Sequence, residues 1–289
     1  MKKILFSIFI VAALVLTTAS ASFANGADFV SGKITAKGVG AAPAFATNPA
    51  QAVALAKRAA ILDAYRNLAE YVNGVNLDSE TTVQNYIVAN DVVKTKVTAV
   101  IKGAKIIEER EMAGGGYSVT VELPMYGEKN SLASAVFKRE KVKEPIPAPR
   151  ADVVPSTPKE IGVREPSLPT APEIPANKTA IGGFTGVIVD CSGLSLDTAM
   201  SPVIKDESGK KIYGHKNLDP DYIVANGMVS YSNGMESVSR AGKNPLVLKA
   251  IRAENHSINP VLSLEDANRL LIENEVSHFL EATNVVFVR

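Results

Sequence analysis

One cysteine, three histidines and no tryptophan occur among the 289 residues of this chain. Each scarcity removes a class of chemistry. A lone thiol, Cys191, excludes an intramolecular disulfide and any multi-thiolate zinc or iron–sulfur site within one chain. The histidines His215, His256 and His278 stand 41 and 22 residues apart, so a transition-metal site would have to be assembled from distant elements. Charge of one sign is also lacking: 31 Lys+Arg face 30 Asp+Glu, which gives no general electrostatic reason to bind nucleic acid. Beyond the N-terminus no stretch reaches the roughly 20 apolar residues that span a bilayer.

What is present begins with an export signal. Met1, Lys2 and Lys3 form a basic start, Ile4 to Leu16 is apolar apart from Ser7, and Thr17 to Ala24 is small and weakly polar. That order is the one a secretory signal peptide needs, and cleavage is expected after Ala24. No cysteine lies near that site, so no acceptor for a lipid anchor is expected. The mature chain is expected in the periplasm, cell envelope or extracellular space of a bacterium.

Nine of the 16 prolines fall between Pro145 and Pro175. Proline removes backbone donors and restricts its predecessor, so this stretch is expected to be an extended spacer. Fully stretched, it would separate two bodies by on the order of 90 Å. The expected organisation is therefore a signal peptide over 1–24, an α+β domain over 28–140, a proline-rich linker over 141–180 and a second α+β domain over 181–289.

In the first half, Phe29 to Gly40 reads as extended, and Asn48-Pro49 as the start of a helix that Gly74 ends. Leu55, Ala59, Leu62, Ala69 and Val72 recur at helical spacing and are expected to form its buried face. A weaker helical run covers Ser79 to Val93. Val97, Ala99 and Ile101 alternate with polar neighbours and predict a strand, continued by Lys105 to Met112. Ala113 to Gly116 is then a turn into a strand carrying Tyr117, Val119, Val121 and Leu123.

In the second half, Gly186 to Asp190 reads as a strand, and Ser201 to Tyr213 as a hairpin around Asp206 to Gly209. Asp219 with Pro220 starts a helix through Val229, and Leu246 to Ala253 reads as a strand. Ser263 starts a helix running to about Ala282, followed by a strand over Val285 to Val288. The mixture is α+β rather than a repeating βα series.

The segment Asn48-Pro49-Ala50-Gln51-Ala52, then Ala56 to Glu70, then Gly74-Val75, resembles the small outer-membrane lipoproteins of about twenty kilodaltons and the N-terminal domain of flagellar assembly protein T. The resemblance continues through Asp78 to Val83, Val100 to Ala104 and Tyr117 to Val121, and covers residues 30–127. It implies an α+β domain used for assembly and association, with no catalytic centre to carry over. This chain departs from the lipoprotein members in lacking the acceptor cysteine after its signal. Phe184 to Asp190, with Leu196 onward and Asp219 to Tyr222, resembles a companion domain of exported relatives.

Several short motifs bear on chemistry. Gly114 to Gly116 lacks the strand–loop–helix context, the Lys and the Ser/Thr of a phosphate-binding loop. Asp190-Cys191-Ser192-Gly193 is followed by Leu194, and Ser195 is out of register for an Asp-x-Ser-x-Ser cation motif. A Gly-x-Ser-x-Gly elbow is absent at Ser192. Asp219 and Asp221 read as helix capping, Cys191 as a packing residue, and Lys138 to Glu144 as a solvated helix tail. No catalytic, cofactor-binding or metal-ligating residue is assigned, and no cofactor is expected.

The leading expectation is a non-enzymatic envelope protein acting through association with other envelope proteins or with itself, with flagellar or surface-structure assembly as the more specific form. No nucleic-acid partner is expected. The second expectation, of a different class, is an exported protein binding a small molecule or cell-wall ligand in its C-terminal domain. An enzyme comes third.

Overall fold

A computed structural model describes residues 25–138, 143–158 and 179–289. The signal peptide expected over 1–24, four residues of the charged helix tail and the linker residues 159–178 lie outside the described residues.

The first half is a four-stranded antiparallel sheet with helices on one face. Strands β1 (Gly26–Asp28), β2 (Lys33–Gly40), β3 (Lys105–Met112) and β4 (Gly116–Pro124) are arranged β1-β2-β4-β3. Helix α1 (Pro49–Asn73) crosses β2 and β4. It starts where expected, because the Asn48 side chain accepts from the Gln51 amide and Pro49 occupies the first turn, and it stops at Gly74.

Its buried face differs from the expected one. Ala56, Ala60, Ala64, Leu68 and Val72 are buried, whereas Leu62 is 66% exposed and Ala59 is exposed. The cause is on the strand: a Cβ at Gly38 would overlap Ala60 O and Ala64 N, and one at Gly40 would overlap Ala56 O. Backbones this close admit only alanine on the helix face between them. Large apolar residues, the usual sign of a buried stripe, were therefore misleading.

The expected helical run after Ser79 is two helices, α2 (Val83–Ala89) and α3 (Asp91–Lys102). The expected strand at Val97 to Ile101 belongs to α3. Asn90 caps it through the Val93 amide, Val93, Val97 and Val100 fall on one buried face, and Gly103 ends it. Alternation over five residues matched a strand only because its end positions, Val97 and Ile101, stand at i and i+4 and so also share a helix face. The hairpin β3–β4 forms as expected, but β3 is exposed at all eight positions and is tied to α1 by a Lys57–Glu109 ion pair at 2.6 Å. A short helix α4 (Leu132–Val136), closed by a Ser131–Ser134 capping box, completes this core.

The second half contains two four-stranded sheets. The larger comprises β5 (Gly186–Asp190), β8 (Ser230–Ser232), β9 (Pro245–Lys249) and β12 (Val285–Val288), in the order β8-β12-β5-β9, and every pairing is parallel. The smaller comprises β6 (Ile204–Asp206), β7 (Lys211–Tyr213), β10 (Arg252–Glu254) and β11 (Asn259–Leu262), in the order β10-β11-β6-β7. The expected strand over Leu246 to Ala253 is thus split between the two sheets at Ala250 and Ile251. Helix α5 (Pro220–Asn226) is capped by Asp219 as expected and stops before Gly227, whose φ is +72°. Helix α6 (Leu264–Ser277) is capped by Ser263 and stops at His278, which takes the left-handed conformation. The two halves together give the α+β, two-domain architecture read from the sequence.

The spacer expectation requires correction. The described part of the linker lies along the second half: the Glu144 amide donates to Lys216 O at 2.8 Å, the Arg150 amide to Asn268 Oδ1 at 2.6 Å, and the Ser156 amide to Glu265 O at 3.1 Å. Asn268 returns two bonds, to Arg150 O and Val153 O. On α6 the buried Arg269 guanidinium donates to Ser156 O on one side and Thr179 O on the other. Its ion-pair partner Glu273, at 3.0 Å, accepts from the Ile181 and Gly182 amides. Proline denies the linker strand and helix ladders, but its remaining donors and carbonyls bind side chains of α6 instead.

Nor are the halves held apart. Met200 and Val224 of the second half are buried in the core of the first, and Phe29 and Phe137 pack against both cores. Phe29 stacks edge-on against Tyr231, with centroids 5.6 Å apart.

Candidate functional site

The loop between α1 and α2 carries most of the polar contact between the halves. The Asn76 side chain donates to Thr198 O at 3.1 Å, Asn76 O accepts from the Met200 amide at 3.0 Å, and Leu77 O accepts from the Ser201 amide at 2.7 Å. His256 Nδ1 lies 2.8 Å from Ser79 O. His256 sits in a run of three non-glycine residues, Asn255 to Ser257, that all have positive φ between 51° and 59°. That backbone costs energy at each residue and persists because neighbours fix it. The Ser257 carbonyl accepts from the Asp197 amide, and the Asn255 side chain accepts from Lys205 Nζ at 2.6 Å.

Beside this loop lies a cavity of about 460 Å³, walled by both halves. From the first half come Leu77, Asp78, Thr81 and Tyr86, with Val136 and Phe137 at the end of α4. From the second come Ser201, His215, Leu218, Pro220 and Ile223. Lys138, Glu144 and Lys216 supply further charge to its wall. Most of that charge is engaged within the protein. Asp78 accepts from the Glu80 and Thr81 amides, both at 2.8 Å, and Glu144 pairs with Lys216 at 3.2 Å. His215 titrates below the ordinary imidazole range, chiefly through desolvation and then through Lys216. Ser201 is the exception: its hydroxyl is buried and has no hydrogen-bond partner among the described residues.

The remaining sequence motifs fall elsewhere. Cys191 is buried, its Sγ 3.7 Å from Val189 O, and burial pushes the thiol up to about 12, so it stays protonated and unreactive at neutral pH. The Asp190 carboxylate accepts from the Ser192 amide at 2.9 Å, closing a turn at the end of β5. Asp219 accepts from the Asp221 and Tyr222 amides, both at 2.9 Å. Of the three histidines, His215 lines the cavity, His256 touches the interface loop, and His278 ends α6, 3.8 Å from Glu281. No group of three or more His, Cys, Asp or Glu side chains is placed to hold a metal ion among the described residues.

Sequence reasoning did not find the cavity. Its walls come from segments up to 146 residues apart, Leu77 to Ile223, and Ser201 carries no local motif. The one available signal was the Ser201-Pro202 pair opening the hairpin, which marks a turn and says nothing of a neighbour.

Comparison with known families gives a separate match for each half. Residues 34–124 match the family model of LPP20 lipoprotein, and residues 186–289 match the model of the second domain of Treponema pallidum Tp0624. The first half is therefore lipoprotein-family-like. No curated protein matches the chain. Among the described residues no helix is long and apolar enough to cross a membrane.

Proposed function

We propose that this is an exported bacterial cell-envelope protein that works by associating with other envelope proteins and catalyses no reaction. The observation that carries this reading is β3, an edge strand exposed along all eight of its residues, with Ile106, Ile107 and Met112 between 36% and 39% exposed. An edge strand presents a row of backbone donors and acceptors to another chain, and on β3 the charged Lys105, Glu108, Glu109, Arg110 and Glu111 and a bulge between Ile106 and Glu108 narrow the partners it admits to those of complementary charge. Its location within the segment that matches LPP20 lipoprotein supports placement at the envelope. So does the signal-like sequence before Asn25. Assembly of a flagellar or other surface structure is the finer form of the reading.

Photo-crosslinking tests it. A photoreactive side chain placed at Ile107 or Arg110 in living cells is expected to give adducts with envelope proteins, and one at the exposed Glu275 on α6 to give few. A mature protein that is strictly monomeric and yields no adduct from β3 would remove the proposal.

A further inference from the structure

We propose that β3 pairs antiparallel with β3 of a second copy of this chain, about a two-fold axis through Glu109, so that two four-stranded sheets become one. The inference rests on the reading of β3 as the association edge, and it names the partner. Register with β4 sets the faces. Glu109 stands opposite Val119, which is buried in the core under α1, and Lys57 of α1 reaches Glu109 at 2.6 Å. Glu108 and Arg110 stand opposite Thr120 and Ser118, so both lie on the other face of the sheet. There Arg110 has no ion-pair or hydrogen-bond partner among the described residues, and Glu108 has only the Thr120 hydroxyl, at 3.4 Å.

Charge selects the partner. An axis through Glu109 sets Glu108 against the partner's Arg110 and Arg110 against the partner's Glu108, two attractive cross-strand pairs on one face. The two Glu109 carboxylates meet on the opposite face, each held by the Lys57 of its own copy. Neighbouring registers lack this match. Moving the axis by one residue sets Glu108 or Arg110 against its own copy, and moving it by half a residue sets Glu108 against the partner's Glu109 or the partner's Glu111. Like charges directly opposite destabilise a strand pair. The run Glu108-Glu109-Arg110 therefore complements itself in one register, and a symmetric contact of this kind closes at two copies. The bulge between Ile106 and Glu108 ends the ladder at that side, because it breaks the alternation of faces. Both α1 helices then lie on one face of the joined sheet.

The experiment follows the mature chain by sedimentation equilibrium at low salt, where exposed ion pairs are least screened. A monomer–dimer equilibrium is expected. Glu108→Arg and Arg110→Glu are each expected to weaken the dimer about tenfold, as two cross-strand pairs turned from attraction to repulsion imply. The double variant Glu108→Arg/Arg110→Glu rebuilds both pairs in reverse and is expected to restore the dimer to within about threefold. Glu109→Cys is expected to give a disulfide-linked dimer under mild oxidation, because directly opposed residues have Cβ atoms about 5 Å apart. Glu111→Cys, whose two copies would stand about 13 Å apart, is expected to give none. The native Cys191 is buried and takes no part. Circular dichroism checks that each variant folds. A chain that stays monomeric at every attainable concentration would overturn the self-pairing, and it would leave β3 as an association edge where photo-crosslinks from Ile107 to other envelope proteins persist; their loss as well would remove both readings. A dimer indifferent to the single reversals, a double variant that does not restore it, or a disulfide at position 111 in place of 109 would each refute the pairing.

Discussion

Three buried side chains in the second half must keep their protons for the fold to persist. Cys191 is pushed up to about 12 by burial and then by Asp190, and the Tyr213 and Tyr231 phenols are raised well above their ordinary range, chiefly by burial. Tyr213 donates to Met228 O at 2.8 Å and Tyr231 to Ala199 O at 3.0 Å, bonds that a phenolate could not make. In each case the folded state holds its proton more tightly than the unfolded chain. Their contribution to stability is therefore complete below an unfolded pKa of about 8.5 for the thiol and about 10 for the phenols. Above those values it falls by about 1.4 kcal/mol per pH unit per group. Urea midpoints measured from pH 7 to 11 are expected to decline steeply beyond pH 9. Tyr231→Phe is expected to start lower, by about 1 kcal/mol for the lost bond, and to decline less steeply above pH 10. A midpoint flat to pH 11 would refute the argument. Arg240 is the cationic counterpart: its guanidinium, with no carboxylate within ion-pair distance among the described residues, donates to the carbonyls of Asn226, Gly227 and Thr283 and so clamps the end of α5 against the loop before β12.

At the scale of elements, the α1–β2 contact is decided by two glycines rather than by large apolar residues. Gly40→Ala is expected to cost about 4 kcal/mol or more, because the new methyl would meet the backbone of Ala56 and Ala60, which cannot give way as a side chain can. Leu62→Ala, on the exposed side of the same helix, is expected to change stability by about 0.5 kcal/mol or less. Chemical denaturation of both variants checks the pair, and a reversed ranking would return the buried face to the one suggested by hydrophobic spacing. The same contact explains what could be read in advance. Caps and turns were legible, because Asn48-Pro49, Asp219-Pro220, Ser263 and Ala113 to Gly116 act on their immediate neighbours. The rotation of α1 about its axis was not, since it depends on a strand ten or more residues away. Neither was α3, where Val97, Ala99 and Ile101 alternate within a helix, nor the parallel order of β8, β12, β5 and β9, whose hydrogen-bonded neighbours are separated by long stretches of chain that carry other elements. The cavity at Ser201 was illegible for the same reason: nothing local to Ser201 records that Leu77 lies against it.

For the molecule as a whole, the two family-like halves share cores and a hydrogen-bonded loop. Tyr126 of the first half packs so tightly against Gly227 of the second that a Cβ there would lie 2.8 Å from its ring. Covalent continuity between the halves is consequently not what joins them. A protease site placed within residues 159–178 and cut is expected to leave a nicked protein that elutes from gel filtration at the size of the intact chain. Separation of the fragments in dilute buffer would show that covalent continuity is what joins them. The Arg269 guanidinium carries this further. Ser156 O and Thr179 O, far apart in sequence, are fastened to the same side chain, so a single guanidinium acts as a common latch for two described stretches of chain. Arg269→Ala would undo both fastenings at once and leave the Glu273 carboxylate, buried beside it, without its ion-pair partner.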